Sequence, residues 1–153
     1  MRWRYFSLEQ VNSKEGPEWK VWEQPDAYES RELLAVRAAE AARLQGKEHF
    51  ERFHLALLKA RHEERQRINQ PDVLIEVAKK AGIDVERFEE DLKNRELIKI
   101  LARDHTEAVE KYGVFGTPTF VFGNGGAAYL KMYIPPEEDS LSVFEHLVSL
   151  MHN

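Results

Sequence analysis

Among the residues that commonly carry out chemistry in proteins, this chain of 153 residues has no cysteine. Disulfides, thiolate metal sites and thiol nucleophiles all require the thiolate. The sequence therefore excludes all three kinds of site at once. The candidates that remain are a Glu-x-x-His pair, one further histidine and one glycine-rich segment.

Glu51 and His54 have the Glu-x-x-His spacing that di-iron helical bundles use to bind metal. Such a site needs a second Glu-x-x-His and further carboxylates from facing helices, and the sequence contains no second copy. Spacing without converging ligands is weak evidence for a metal. We therefore expect no bound metal and a helix-packing role for His54, which lies beside an apolar stripe.

His105 interrupts the apolar face of a predicted helix, between Leu101 and Val109. A catalytic histidine needs a nucleophile to activate, and the sequence offers none beside it. The pattern favours a partly buried histidine that bonds to backbone or to a carboxylate. An auxiliary role for His105 at a functional site stays open as the second interpretation.

The segment Gly123-Asn124-Gly125-Gly126 has the composition of a phosphate-binding loop. Loops of that kind lead into a helix N-terminus, whereas this segment lies between two predicted strands. A hairpin turn is the better interpretation, and no cofactor is predicted.

Composition narrows the class of protein further. The length and the 42% of hydrophobic residues suit one compact unit with a filled core. The net charge of -5 and the mixing of Lys and Arg with Glu disfavour nucleic acid as a partner. No apolar run approaches the roughly 18 residues needed to cross a bilayer, and no secretory pattern follows Met1. We expect no membrane span and a cytoplasmic location.

The first elements predicted are a strand and a long connection. The short aromatic segment Trp3–Leu8 predicts the strand, and the polar stretch from Asn12 to Pro25 predicts the connection. Trp19 and Trp22 lie in this connection. We expect both to pack onto the body of the protein, because a free loop gains nothing from exposed indoles.

Helical periodicity dominates the middle of the chain, where apolar residues recur at three- and four-residue steps. Pro71 suits a first helical turn, and Asp84 suits a helix cap. Five helices are predicted. The first runs from Glu29 to Gly46, and the second contains the apolar positions from Phe50 to Arg61. The others run from Pro71 to Gly82, from Val85 to Leu92, and from about Arg95 to Tyr112.

The period changes to that of a strand after Gly113. Pro118–Phe122 is continuously apolar, which predicts a strand covered on both faces, and Tyr129–Ile134 alternates as in a strand covered less completely. The short turn makes these two strands antiparallel neighbours. The Trp3 strand would lie parallel in the same sheet, and a last helix would begin at Asp139 or Ser140. The predicted fold class is therefore an α/β sheet that carries a helical insertion.

The segment Gly113–Val121 gives these elements a family context. A helix that ends in Gly, followed by Val-Phe-Gly-Thr-Pro-Thr-Phe entering a strand, resembles the cis-proline loop of the DsbA family of thioredoxin-fold proteins. Trp3–Leu8 resembles the second strand of the cytoplasmic FrnE-like and 2-hydroxychromene-2-carboxylate isomerase-like members. The resemblance implies a thioredoxin-like domain formed by residues 1–28 and 95–153, with residues 29–94 as an inserted helical domain.

The resemblance also implies a substrate-binding loop formed by Gly116, Thr117 and Pro118. A cis Thr117–Pro118 bond would leave the backbone groups of Thr117 available to an extended peptide. Protein or small-thiol substrates are the partners that the family implies. No residue of this chain is predicted to be catalytic.

One departure from the family decides the expected activity. Members begin with a strand and a Cys-x-x-Cys motif at a helix N-terminus, where the helix dipole lowers the thiol pKa. This sequence starts at what resembles the second strand, so the redox residues have no matching positions, and neither has the serine of glutathione-dependent relatives. We expect the sheet to be N-terminally truncated.

Three hypotheses about function stay open. The chain is a shortened form of an active thiol–disulfide oxidoreductase, a glutathione-using isomerase or transferase of the same fold, or a cysteine-free binding or scaffold protein. The truncated sheet adds a prediction about assembly, because unpaired strand edges at its centre are costly. The Trp3 strand would pair directly with the Pro118 strand or with a second copy of the chain, and a homodimer is the favoured outcome.

Overall fold

The computed structural model describes residues 1–152, and contacts divide the chain into two compact units, Met1–Asp104 and the part from His105 onward. This division differs from the predicted boundaries after residues 28 and 94, and the assignment of residues 1–28 and 95–153 to one domain stays a prediction. The elements are α1 (Leu8–Val11), α2 (Leu33–Leu44), α3 (Lys47–His62), α4 (Pro71–Lys80), α5 (Val85–Leu92), α6 (Lys99–Tyr112), β1 (Thr119–Val121), β2 (Ala127–Tyr129) and α7 (Ser140–His152).

The four predicted middle helices are confirmed as α2–α5, although α2 begins at Leu33 and not at Glu29. Local sequence explains several of their ends. Pro71 occupies the first turn of α4, where its missing N–H is not needed. Asp84 caps α5 by accepting a hydrogen bond from the backbone N–H of Arg87 at 3.1 Å. Gly46 and Gly82 have φ angles of 130° and 69°, which side-chain-bearing residues rarely adopt.

The core of the first unit lies between these helices. Phe53 of α3 and Phe88 of α5 are both fully buried, with ring centroids 5.4 Å apart. Small residues on α2, among them Ala38 and Ala41, let the neighbouring helices approach closely. Arg37 is also buried, because its guanidinium donates to the backbone oxygen of Leu92 and to the carboxylate of Asp26, each at 2.9 Å.

The predicted Trp3–Leu8 strand is wrong. Residues 1–6 have no regular secondary structure, and Leu8 begins the helix α1. The backbone N–H of Tyr5 donates to the side chain of Asp104 at 3.2 Å, and not to a neighbouring strand. The expectation that this segment pairs with the Pro118 strand is therefore also not met, and the sheet of the described residues has two strands only, β1 and β2.

Buried and half-buried carboxylates attach this N-terminal segment to the helices. Asp104 is 3% exposed and also accepts a bond from Arg4 Nη1 at 2.6 Å. The hydroxyl of Tyr5 donates to Glu40 at 2.6 Å. Ser7 donates to Glu32, whose pKa is raised by burial. These bonds to side chains replace the backbone hydrogen bonds of the strand that was predicted for this segment.

The packing of the connection from Asn12 to Pro25 is confirmed. Trp19 and Trp22 are half-buried and pack against the smaller core cluster that contains Val21. Gln10 fastens the connection, since its side chain donates to the backbone oxygen of Trp19 and accepts from the N–H of Val21. The indoles therefore serve packing, as the sequence indicated.

The predicted fifth helix divides into a 3₁₀ turn, Arg95–Ile98, and α6. Leu101 and His105 are buried, as the apolar stripe indicated, but Val109 is 43% exposed. The inward position predicted for Val109 is therefore wrong. The apolar stripe of this helix therefore extends beyond the part that other described residues bury.

The closing hairpin is confirmed as antiparallel, with Phe120 opposite Ala128. Its turn is closed by bonds between Phe122 and Gly125 and between Phe122 and Gly126, at 2.9 Å each. The second strand runs from Ala127 to Tyr129, so the predicted strand Tyr129–Ile134 is wrong in all but its first residue. Tyr133 and Ile134 are almost fully exposed. β1 is not covered on both faces as predicted, since Val121 is 43% exposed.

The last helix, α7, begins at Ser140 as predicted, but its apolar face is only partly covered. Leu141 and Phe144 are 69% and 42% exposed. Every apolar residue of the described cores precedes residue 105. Within residues 1–152, no helix is both long enough and apolar enough to cross a membrane.

Candidate docking site

The predicted docking loop follows directly from the end of α6. Gly113 has a φ of 63°, which turns the chain out of the helix. The N–H groups of Gly113 and Val114 bond back to the carbonyls of Val109 and Ala108, at 3.1 and 3.0 Å. This closed helix end fixes the direction in which the loop leaves.

Gly116 is buried because an aromatic ring occupies the space of a side chain. A Cβ atom on Gly116 would lie 3.0 Å from Cε2 of Tyr129. The ring of Tyr129 in turn contacts the ring of Phe115, with centroids 5.0 Å apart. The glycine of this loop therefore serves close packing against β2, and not a left-handed backbone conformation.

Thr117 and Pro118 are both exposed, and the peptide bond between them is cis, the form expected from the sequence. The hydroxyl of Thr119 donates to the backbone oxygen of Gly116 at 2.7 Å and closes the loop beneath them. The carbonyl of Pro118 accepts from the N–H of Leu130 at 3.0 Å. The loop is thus attached to both strands of the hairpin, and Thr117 and Pro118 face solvent.

The register of the hairpin shows which backbone groups remain available. Pro118 and Phe122 bond toward β2, so the alternation of an antiparallel pair turns the N–H and C=O groups of Thr119 and Val121 away from it. Pro118, which lacks an N–H, is one of the residues whose backbone groups face β2. The outward edge of β1 therefore has no gap caused by proline.

This edge lies in a long uncharged part of the chain. No charged residue occurs between Lys111 and Lys131, although 32% of all residues are charged. Phe115 and Tyr129 are 66% and 42% exposed beside it. Exposed edge strands are commonly protected by charges, by outward-facing proline or by a bulge, and the described edge of β1 has no such protection. An exposed, uncharged strand edge of this kind can accept an extended segment as an added strand.

The other candidate residues lie elsewhere. His105 is buried on α6, 6% exposed, and its auxiliary role stays a prediction. His54 of α3 has the packing role that was predicted, since its ring contacts those of Phe50 and Trp3. The carboxylate of Glu51 lies 3.9 Å from Nζ of Lys47. Within residues 1–152, no three His, Asp or Glu side chains come together as metal ligands would.

The sequence did not predict a role at the site for Phe115, Thr119 or Tyr129. Phe115 and Thr119 lie within the segment Gly113–Val121 that carries the family resemblance, so their position in that segment was a signal for them. Tyr129 reaches the loop only through the register of the hairpin, in which it lies opposite Thr119. Only a prediction of the exact strand register would have placed Tyr129 at the loop.

Comparison with known proteins gives a family match and two relatives. Residues 7–146 match the family described as DSBA-like thioredoxin domain. A protein of Halalkalibacterium halodurans named ClpXP adapter protein SpxH is 35% identical over 105 residues, which cover 68% of this chain and 33% of that protein. The protein of the same name from Bacillus subtilis is 30% identical over 118 residues, 76% of this chain and 39% of its own length. The matched part thus spans less than half of either relative.

Proposed function

Because the chain belongs to the family of DSBA-like thioredoxin domains and has no cysteine, we propose that it is a protein-binding member of that family that performs no thiol exchange. In this proposal, the α/β fold with its helical insertion presents a docking surface. The bound partner is a polypeptide, and binding, with no chemical step, is the activity.

The main support for this proposal is the function that the two relatives are named for. Both are adapter proteins of ClpXP, and each matches more than two thirds of this chain. An adapter acts by holding a protein, so it needs a docking surface and needs no redox cysteine. We therefore propose an adapter function for this chain, in which it binds a client protein.

The docking surface of this proposal consists of Gly116, Thr117 and Pro118 together with the outward edge of β1. An extended segment of the client would bond to the backbone of Thr119 and Val121 as an added strand. The neutral surroundings favour client segments without charge. The exposed rings of Phe115 and Tyr129 would contact apolar side chains of the client.

The test uses proline to remove one outward N–H at a time. Val121 and Ala127 form one cross-strand pair in which both N–H groups point outward, to opposite edges of the hairpin. Val121→Pro therefore blocks the β1 edge, and Ala127→Pro is the matched control at the β2 edge. We expect an immobilised array of 12-residue peptides to retain the wild-type chain on uncharged, β-branched sequences.

For a peptide selected from that array, fluorescence anisotropy should show at least tenfold weaker binding by Val121→Pro and less than a twofold change for Ala127→Pro. The bond between Phe122 and Gly126, followed by NMR, reports that the hairpin is intact in both variants. Equal effects of the two variants would contradict strand addition at β1. Retention of charged peptides instead would contradict the neutral docking surface.

The same proposal predicts that the chain is inert in thiol exchange, since the attacking group of that reaction is a thiolate. Purified chain should not accelerate the reduction of insulin by dithiothreitol or the oxidation of a dithiol peptide. The control is a thioredoxin-fold oxidoreductase that retains its Cys-x-x-Cys motif. Turnover above the uncatalysed rate would refute the proposal and favour the oxidoreductase interpretation.

The oligomeric state, the cellular location and the use of small thiols are also proposals. A homodimer would form by antiparallel pairing of two β1 edges, and it would compete with a client for the same surface. Analytical ultracentrifugation of the free chain and of Val121→Pro separates these two uses of the edge. A cytoplasmic location and a role for small thiols stay proposals of the same kind, as does membership of the FrnE-like group.

A further inference from the structure

Four side chains from three parts of the first unit form a column of successive contacts. The guanidinium of Arg43 on α2 lies 3.5 Å from the ring centre of Phe50 on α3. Phe50 stacks on His54 of the same helix, with planes 10° apart and centroids 5.5 Å apart. The indole of Trp3 also contacts His54, with ring centroids 4.2 Å apart and planes tilted by 54°. The imidazole therefore contacts both an indole and a phenyl ring.

The two covers of His54 differ in how firmly they are fixed. Phe50 is 1% exposed and belongs to the core. Trp3 is 40% exposed and immediately precedes Arg4, where the bonds to Asp104 begin. Residues 1–3 precede the part of the segment that these bonds attach, so movement of Trp3 does not require Arg4 or Tyr5 to leave Asp104. Trp3 is therefore the less firmly fixed cover of His54.

One nitrogen of the covered imidazole, Nε2, has no acceptor for a proton. Nε2 of His54 is buried and has no hydrogen-bond partner among the described residues. The charged group that faces His54 from α2 is Arg43, a cation. The carboxylate of Glu40, which lies next to Arg43, is already bonded to Arg43 and to Tyr5. Trp3, the cover from the N-terminal segment, brings no charge.

We propose that Trp3 is a pH-sensitive lid over His54, closed at neutral pH and opened by protonation of His54 in mild acid. In the closed form a proton on Nε2 has no acceptor, and in the open form water solvates the imidazolium. Opening exposes a face of α3 that carries a histidine cation beside Phe50. This device lies in the first unit and is independent of the docking loop.

The sign of the pH dependence follows from the direction of the shift. Burial, and then the charge of Arg43, lower the pKa of His54 from its ordinary value of about 6.5. The closed form therefore binds the proton more weakly than the open form. Acidification through and below pH of about 6.5 consequently favours the open lid, and neutral pH favours the closed one.

Fluorine NMR of the chain labelled with 5-fluorotryptophan tests this lid. The Trp3 signal is identified as the one missing from Trp3→Phe. We expect it to shift between pH 7.5 and 5 with a midpoint below 6.5, together with the imidazole protons of His54. The signals of Trp19 and Trp22 should stay in place. A Trp3 signal that is unmoved while His54 titrates would overturn the proposal, and so would a His54 that does not titrate in this range.

Two variants separate His54 from other groups that titrate in acid, such as Glu32. His54→Phe keeps an aromatic ring but cannot be protonated, so its Trp3 signal should not change with pH. His62→Gln, an exposed position on the same helix, should behave as wild type. A pH transition of Trp3 that persists in His54→Phe would overturn the proposal. If His54→Phe does not fold, Trp3→Leu serves instead, and His54 should then titrate nearer its ordinary value; an unchanged midpoint would also overturn the lid.

Discussion

Replacement of Phe53 by alanine is expected to lower the free energy of unfolding by about 3 to 5 kcal/mol. Phe53 is fully buried and contacts the ring of Phe88, which is also fully buried, so the substitution leaves a cavity between α3 and α5. A loss of this size is a large fraction of the roughly 5 to 15 kcal/mol by which domains are stable. Urea denaturation followed by circular dichroism measures it.

Leu55 provides the matched control on the same helix, because its side chain is 63% exposed. Leu55→Ala should change the free energy of unfolding by no more than about 0.5 kcal/mol. A similar loss in both variants would mean that the core of the first unit does not lie where the structure has it.

Replacement of Asp104 by alanine is expected to lower the free energy of unfolding by about 2 to 4 kcal/mol, because it removes a buried carboxylate that pairs with the partly exposed Arg4 and leaves a backbone donor without its acceptor. The carboxylate of Asp104 binds Arg4 at 2.6 Å, Arg103 at 3.0 Å and the N–H of Tyr5 at 3.2 Å. Its loss should also detach residues 1–6, which backbone NMR of those residues would report.

Glu110 is the control for Asp104, since it is an exposed acidic residue on the same helix. Glu110→Ala should leave both stability and the N-terminal segment unchanged within about 0.5 kcal/mol. A double-mutant cycle of Arg4→Met with Asp104→Asn isolates the contribution of the pair. Zero coupling in that cycle would show that the ion pair is not what attaches the segment.

The helices were predictable because their signals are local. Apolar spacing, Pro71 in a first turn and Asp84 as a cap depend on residues within one or two turns of each other. The hairpin was predictable for the same reason, since its glycine-rich turn joins adjacent segments. The Gly-Thr-Pro motif could be identified from sequence because it is contiguous with that hairpin.

The N-terminal segment could not be predicted because its bonds are distant in sequence. Tyr5 bonds to Glu40 and to Asp104, and nothing near Tyr5 in the sequence signals either carboxylate. Aromatic residues at Trp3, Tyr5 and Phe6 have strand propensity, but a strand forms only where a neighbouring edge is available. The exposure of Val121 and Val109 was missed in a similar way, because periodicity predicts which face is apolar and not whether that face is covered.

The confinement of the apolar core to residues before 105 has a consequence for how the chain unfolds. Free energy of folding accumulates where apolar side chains are removed from water, so it is concentrated in α2–α5. The hairpin and α7 contain few such side chains, so we expect their free energy of local opening to be low. Unfolding is then expected not to be one all-or-none event, with the segment that contains the docking loop opening while the helical core remains intact.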